Sequence, residues 1–132
     1  MPLLNTYLVE DSAVIRDNLV ATLQELAPVR VLGCAADEAS AVQWLAAPGH
    51  GVDLVIVDLF LHTGSGLGVL RAAHALPGVG RMAVLSNYAT PDMRERCLQL
   101  GADRVFDKST EIDALIDYCV ALAGPVSVSG RS

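Results

Sequence analysis

The sequence predicts an α/β domain, a doubly wound parallel sheet of five strands with helices on both faces. Three observations predict it. Five short apolar runs alternate with five longer segments whose apolar residues recur at helical spacing. The connections between them are short, which suits β–α–β crossovers. One run, Leu54-Val55-Ile56-Val57, is apolar at every position, the pattern of a strand covered on both sides.

The elements follow in chain order. Leu3 to Val9 is the first strand, and it ends in the acidic pair Glu10-Asp11. Ser12 caps a helix in which Ile15, Leu19, Leu23 and Leu26 recur at helical spacing, and Pro28 stops it. Val29 to Ala36 is a second strand, less apolar and suited to a sheet edge. Asp37 caps the second helix, with Val42 and Leu45 facing inward and Trp44 partly buried. Pro48-Gly49-His50-Gly51 is a turn. Asp53 then leads into the apolar run, which closes on Asp58.

The loop His62-Thr63-Gly64-Ser65-Gly66 precedes a third helix that begins with Leu67 and Leu70 and ends near Pro77-Gly78. Met82 to Leu85 is the fourth strand, closing on Ser86. Thr90-Pro91 is a cap and first turn for the fourth helix, whose inner face carries Met93, Cys97 and Leu100 and which ends at Gly101. Arg104 to Asp107 is the fifth strand, closing on Lys108. Ser109 or Thr110 caps a last helix with Ile112, Leu115, Ile116, Cys119 and Val120 on one face. Residues 1–123 are expected to form the domain, and 124–132, rich in Gly, Ser and Pro, a frayed tail.

Composition narrows the function. A chain of 132 residues, 52% hydrophobic and 18% charged, makes one domain with a real core. A net charge of -6 argues against direct nucleic-acid binding, which needs basic surface. No apolar run reaches membrane-spanning length, and the start lacks the pattern of a signal peptide. Cys34, Cys97 and Cys119 form no Cys-x-x-Cys pair, so zinc is not expected; they are read as buried thiols in a reducing cytoplasm.

The polar strand ends carry the chemistry. In a parallel sheet all carboxyl ends lie on one edge, so Glu10, Asp11, Asp58, Ser86 and Lys108 can converge there. Asp58 alone could be a helix cap or a solvated loop residue. Three clustered carboxylates repel one another, and a hard divalent cation such as magnesium relieves this. Lysine adds a point positive charge, and serine a small donor. Such a site could hold a phosphoryl group on Asp58.

In this arrangement the chain resembles the response-regulator receiver domains of two-component signalling, over about Leu3 to Ala123. The acidic pair matches Glu10-Asp11, and the phosphoacceptor matches Asp58, followed by Gly64-Ser65-Gly66-Leu67. The family's Thr or Ser matches Ser86, and its Lys matches Lys108, after Gly101-Ala102-Asp103.

The resemblance implies the flavodoxin-like strand order 2-1-3-4-5. It implies that Asp58 takes phosphate from the phosphohistidine of a histidine kinase or phosphotransfer protein. Asp11, Asp58 and the backbone carbonyl of Phe60 would ligate Mg2+, with Glu10 acting through a water. Lys108 would neutralise one phosphoryl oxygen and Ser86 would donate to another. The only catalysis implied is the domain's own phosphorylation and slow dephosphorylation. Output would pass to a partner protein through the fourth helix, fifth strand and fifth helix. Two alternatives stand beside it: a small aspartate-dependent phosphohydrolase, or the receiver of a longer DNA-binding regulator.

Three departures from the family pattern matter. The aromatic that many receivers carry three residues before the lysine is replaced by Val105, with Phe106 next to it and hence on the other face of the strand. Ser109 stands where a proline is common, so the usual cis peptide is not expected. Asn87 follows Ser86 in place of a small residue. Phe60 and Tyr88 are expected to flank the phosphoryl group and shield it from water, with Tyr88 taking part of the missing aromatic's role.

Other features read as structure. Gly64-Ser65-Gly66-Leu67-Gly68 has the wrong spacing for a nucleotide loop and, with Thr63 in the first glycine's place, is no nucleophile elbow. His50, His62 and His74 lack an evident acid partner and are read as packing or solvated residues.

Overall fold

In the computed structural model, which describes residues 3–124, the five apolar runs become β1 (Leu4–Val9), β2 (Val29–Ala35), β3 (Leu54–Val57), β4 (Arg81–Ser86) and β5 (Arg104–Asp107). The helices between and after them are α1 (Ala13–Leu26), α2 (Glu38–Ala46), α3 (Gly66–His74), α4 (Pro91–Gln99) and α5 (Ile112–Ala123). All pairings are parallel, in the order β2-β1-β3-β4-β5. This is the doubly wound, flavodoxin-like arrangement, with β2 at an edge as its weaker hydrophobicity suggests. The strand order reverses at the β1–β3 pair, which opens the crevice where such sheets bind ligands. The expected tail, from residue 125 on, lies outside the described residues.

Alternation along the strands divides the core into two layers. Leu54 and Ile56 pack with residues of α1 and α5, whereas Val55 and Val57 pack with α2, α3 and α4. All four are at most 1% exposed. Burying each contributes about 1.5–3 kcal/mol relative to leaving it in water, so β3 is firmly anchored at every position. The one-residue offset on β5 resolves as expected, with Val105 in the α2–α4 layer and Phe106 in the α1–α5 layer. No peptide bond among the described residues is cis.

Local capping matches the sequence at three helices. Ser12, Asp37 and Thr90 accept the backbone N–H groups of Ile15, Ser40 and Met93. The fifth helix is a correction. Neither Ser109 nor Thr110 caps it; Glu111 holds the cap position, and Asp107 Oδ1 accepts the N–H groups of both.

Four burial expectations also change. Only Leu19 and Leu23 of α1 are buried; Ile15 and Leu26, at its ends, are 39% and 56% exposed. In α2 the inward residues are Ala41 and Leu45, with Val42 half-buried. Val120 of α5 is exposed while Leu115 and Cys119 are buried. Cys34, on the edge strand β2, is exposed, whereas Cys97 and Cys119 are buried. Burial pushes the Cys119 thiol up to about 11.

Candidate functional site

Adjacent strand ends bring the acidic residues together. The Asp58 N–H donates to the Val9 carbonyl at 3.0 Å, which seats the end of β3 against the end of β1. Glu10, Asp11 and Asp58 each then offer a carboxylate oxygen within 4.8 Å of the others. On the far side, the Lys108 N–H donates to the Ser86 carbonyl at 2.9 Å, which aligns the ends of β4 and β5.

Lys108 closes the cluster. Its Nζ lies 2.8 Å from Glu10 Oε1 and 3.2 Å from Asp58 Oδ2. The side chains of Lys108, Glu10 and Asp58 are only 13%, 3% and 11% exposed. Burial pulls the Lys108 ammonium down, but the hydrogen bond to Glu10 and the charge of Asp58 outweigh it, so its pKa is raised. Asp58 is also raised, by burial first and by the charge of Glu10, against the lowering effect of Lys108. The two shifts are compatible, because the ammonium leans on Glu10 and leaves Asp58 the longer contact.

The remaining oxygens are partly engaged by backbone. Glu10 Oε2 accepts the Ser12 N–H at 3.0 Å, and Asp11 Oδ2 accepts the His62 N–H at 2.8 Å. The Phe60 N–H donates to Asp58 Oδ1 at 3.4 Å. Gly66 allows this crowding, since a Cβ there would overlap the Asp58 carbonyl. Ser86 is fully buried, and its Oγ accepts the Tyr88 N–H at 3.0 Å.

The donor set fits a hard divalent cation. Three carboxyl groups face one ammonium, an excess of acidic oxygens that a bound cation would balance. All candidate ligands are oxygens, the type that magnesium and calcium prefer.

Phe60 and Tyr88 stand beside one another near these strand ends. Their rings meet edge to face, 4.7 Å between centroids, and are 51% and 60% exposed. His62 departs from expectation, for it has an acid partner: its ring Nε2 lies 3.6 Å from Asp11 Oδ2, although the ring is 91% exposed. His50 has the packing role expected, hydrogen-bonded to Leu45 and Val52 and stacked on Trp44.

Two of the family departures meet each other, since Ser109 Oγ donates to Asn87 Oδ1 at 3.2 Å. Beside the third sits a residue that the sequence did not single out. Arg94 of α4 donates to the Ala89 carbonyl, the Val105 carbonyl and Glu111 Oε1 at 2.9, 2.9 and 2.7 Å. Its guanidinium thus joins the segments after β4 and β5. The hydrogen bonds from Arg94 and from the Asp107 N–H hold Glu111 below its ordinary pKa. No local signal marks Arg94, whose charged partner is 17 residues away.

A doubly wound sheet with an acidic crevice and a nearly buried lysine side chain at its carboxyl edge is suited to holding a phosphoryl group. The chain belongs to the response regulator receiver domain family, whose profile matches residues 6–119. It is a phosphoacceptor receiver of two-component signalling.

Solved structures agree on the fold. A two-component response regulator of the LuxR family from Aurantimonas sp. is similar at 20% identity, with 92% of this chain and 86% of that chain covered and a TM-score of 0.82. A CheY-like receiver domain protein from Methanospirillum hungatei is similar at 19% identity, with 98% and 100% covered and a TM-score of 0.77. A response regulator from Burkholderia pseudomallei is similar at 22% identity, with 96% and 72% covered and a TM-score of 0.73. No curated protein matches the chain at the sequence level. No helix among the described residues is long and apolar enough to cross a membrane.

Proposed function

We propose that Asp58 is the phosphoacceptor and that Glu10, Asp11, Ser86 and Lys108 are its working partners. One observation carries this: the Asp58 carboxylate lies within the acidic cluster, at the end of the most buried strand, 3.2 Å from the Lys108 ammonium. The similar Burkholderia protein was solved with a phosphorylated aspartic acid and a calcium ion, which supports both the chemistry and the cation.

An Asp58 oxygen attacks phosphorus, and the bond from phosphorus to the imidazole nitrogen of a partner's phosphohistidine breaks. The imidazole leaves with the electron pair and takes a proton from solvent. Lys108 neutralises one phosphoryl oxygen, and the Ser86 hydroxyl donates to another. Asp11, Asp58 and the Phe60 carbonyl would hold Mg2+, with Glu10 acting through a water. When bound, the ion supplies further charge neutralisation at the phosphoryl group. The domain catalyses only its own phosphorylation and slow dephosphorylation. It works in the cytoplasm, between a histidine kinase or phosphotransfer protein and an output partner docked on α4, β5 and α5.

The phosphohydrolase alternative is not favoured. Positions 60 and 88, beside the acceptor, are aromatic and offer neither acid nor amide to orient a water. The test is intact mass after incubation with acetyl phosphate. One phosphoryl group should add in the presence of magnesium, and none after chelation or in Asp58→Ala. Labelling of Asp58→Ala at the wild-type level, or continuous release of phosphate, would overturn the assignment.

A further inference from the structure

Glu38, the first residue of α2, reaches across to the loop between β3 and α3. Its Oε1 accepts the Ser65 N–H at 2.9 Å, and its own N–H donates to the Thr63 carbonyl at 3.3 Å. The fit is tight, because a Cβ on Gly64 would overlap the Glu38 Cβ and a Cβ on Gly68 would overlap its carboxylate. Gly68 is the third residue of α3, a place where glycine is disfavoured relative to alanine. Room for the Glu38 carboxylate is the reason for it.

The other end of the same loop belongs to the site. Ser65 pairs with Phe60 in an isolated antiparallel bridge, and the Gly66 N–H donates to the Leu59 carbonyl at 3.0 Å. Phe60 in turn donates to Asp58. A continuous path of hydrogen bonds and backbone pairing therefore runs from Glu38 through Ser65 and Phe60 to the Asp58 carboxylate.

We propose that Glu38 is a positioning residue for the phosphoacceptor site: its carboxylate holds the loop bearing the Phe60 carbonyl and so sets the affinity of the acidic cluster for a divalent cation. This rests on the proposed function above. A loop already held in place loses less conformational freedom when its carbonyl joins a cation, so binding is tighter. The contact is specific to a carboxylate-sized acceptor opposite a glycine.

The test is magnesium affinity, measured by calorimetry on the full chain at about 0.15 M salt, where long-range charge effects are screened. Glu38→Ala and Gly68→Ala should each weaken binding about tenfold, equivalent to about 1.4 kcal/mol. Glu38→Gln should bind like wild type, because its amide oxygen still accepts from Ser65. The double variant Glu38→Ala/Gly68→Ala should bind no more weakly than Glu38→Ala, since both changes break one contact. Additive losses in the double variant, or a Glu38→Gln loss equal to that of Glu38→Ala, would overturn the inference. So would variants that melt earlier but bind magnesium normally. If wild type itself bound no magnesium, this inference and the proposed metal role would fall together.

Discussion

Replacing Lys108 by Met keeps most of the side chain's length and removes the ammonium, with its charge and its hydrogen bonds to Glu10 and Asp58. In the native fold that charge serves Glu10 at 2.8 Å and Asp58 at 3.2 Å, both nearly buried. Without it, two desolvated carboxylates face each other beside Asp11. Deleting one partner of a buried pair costs roughly 3–5 kcal/mol, and the edge position of this site puts the loss near the low end, about 3 kcal/mol at neutral pH.

The sign of the pH effect follows from Asp58, whose pKa burial raises on folding. Between its unfolded and folded values the native state binds more protons than the unfolded chain, so stability falls as pH rises through that window. Lys108 lowers the Asp58 pKa, so its loss extends the window upward, and Lys108→Met should be less damaging at pH 5 than at pH 7. Magnesium acts in the opposite direction. A cluster relieved of its ammonium should bind the ion about tenfold more tightly than wild type. Saturating magnesium should then recover part of the lost stability, while phosphorylation by acetyl phosphate falls. Urea unfolding at both pH values, with and without magnesium, measures all of this. A loss equal under all four conditions would show that Lys108 stabilises by packing rather than charge, and would refute the reasoning.

Two further outcomes concern the aromatic pair and Arg94. Phe60→Asn combined with Tyr88→Glu should speed loss of phosphate from the phosphorylated protein about tenfold, a change of about 1.4 kcal/mol in the barrier, because an amide and an acid replace two rings. Equal decay rates, followed by phosphate release, would remove the shielding role. Arg94→Ala should lower the melting temperature by several degrees, since three acceptors lose one guanidinium, and Arg94→Lys should recover little of it because an ammonium cannot span them. A lysine variant that melts like wild type would show that only the charge matters.

Much of this was legible in the sequence because it is local. Helical spacing, the caps at Ser12, Asp37 and Thr90, and the unbroken run Leu54–Val57 are properties of neighbouring residues. So are the acids and the lysine that end the strands, which is why Glu10, Asp11, Asp58, Ser86 and Lys108 could be named before their positions were known. Alternation alone left the strand order open; the pairing of β1 with β3, which sets Asp58 beside Glu10, belongs to the sheet.

What the tertiary structure decided is everything that depends on distant partners. Which apolar positions of α1 are covered, and hence the exposure of Ile15 and Leu26, is a matter of where the helix lies against its neighbours. The cap position of the fifth helix is held by Glu111 instead of a serine or threonine, and the Glu111 carboxylate accepts from Arg94 of another helix and from the Asp107 N–H. Lys108 meets acids 98 and 50 residues away, and Glu38 meets Ser65 across 27. Periodicity records which face of an element is apolar, but an ion pair or a loop contact exists only where two elements arrive at hydrogen-bonding distance.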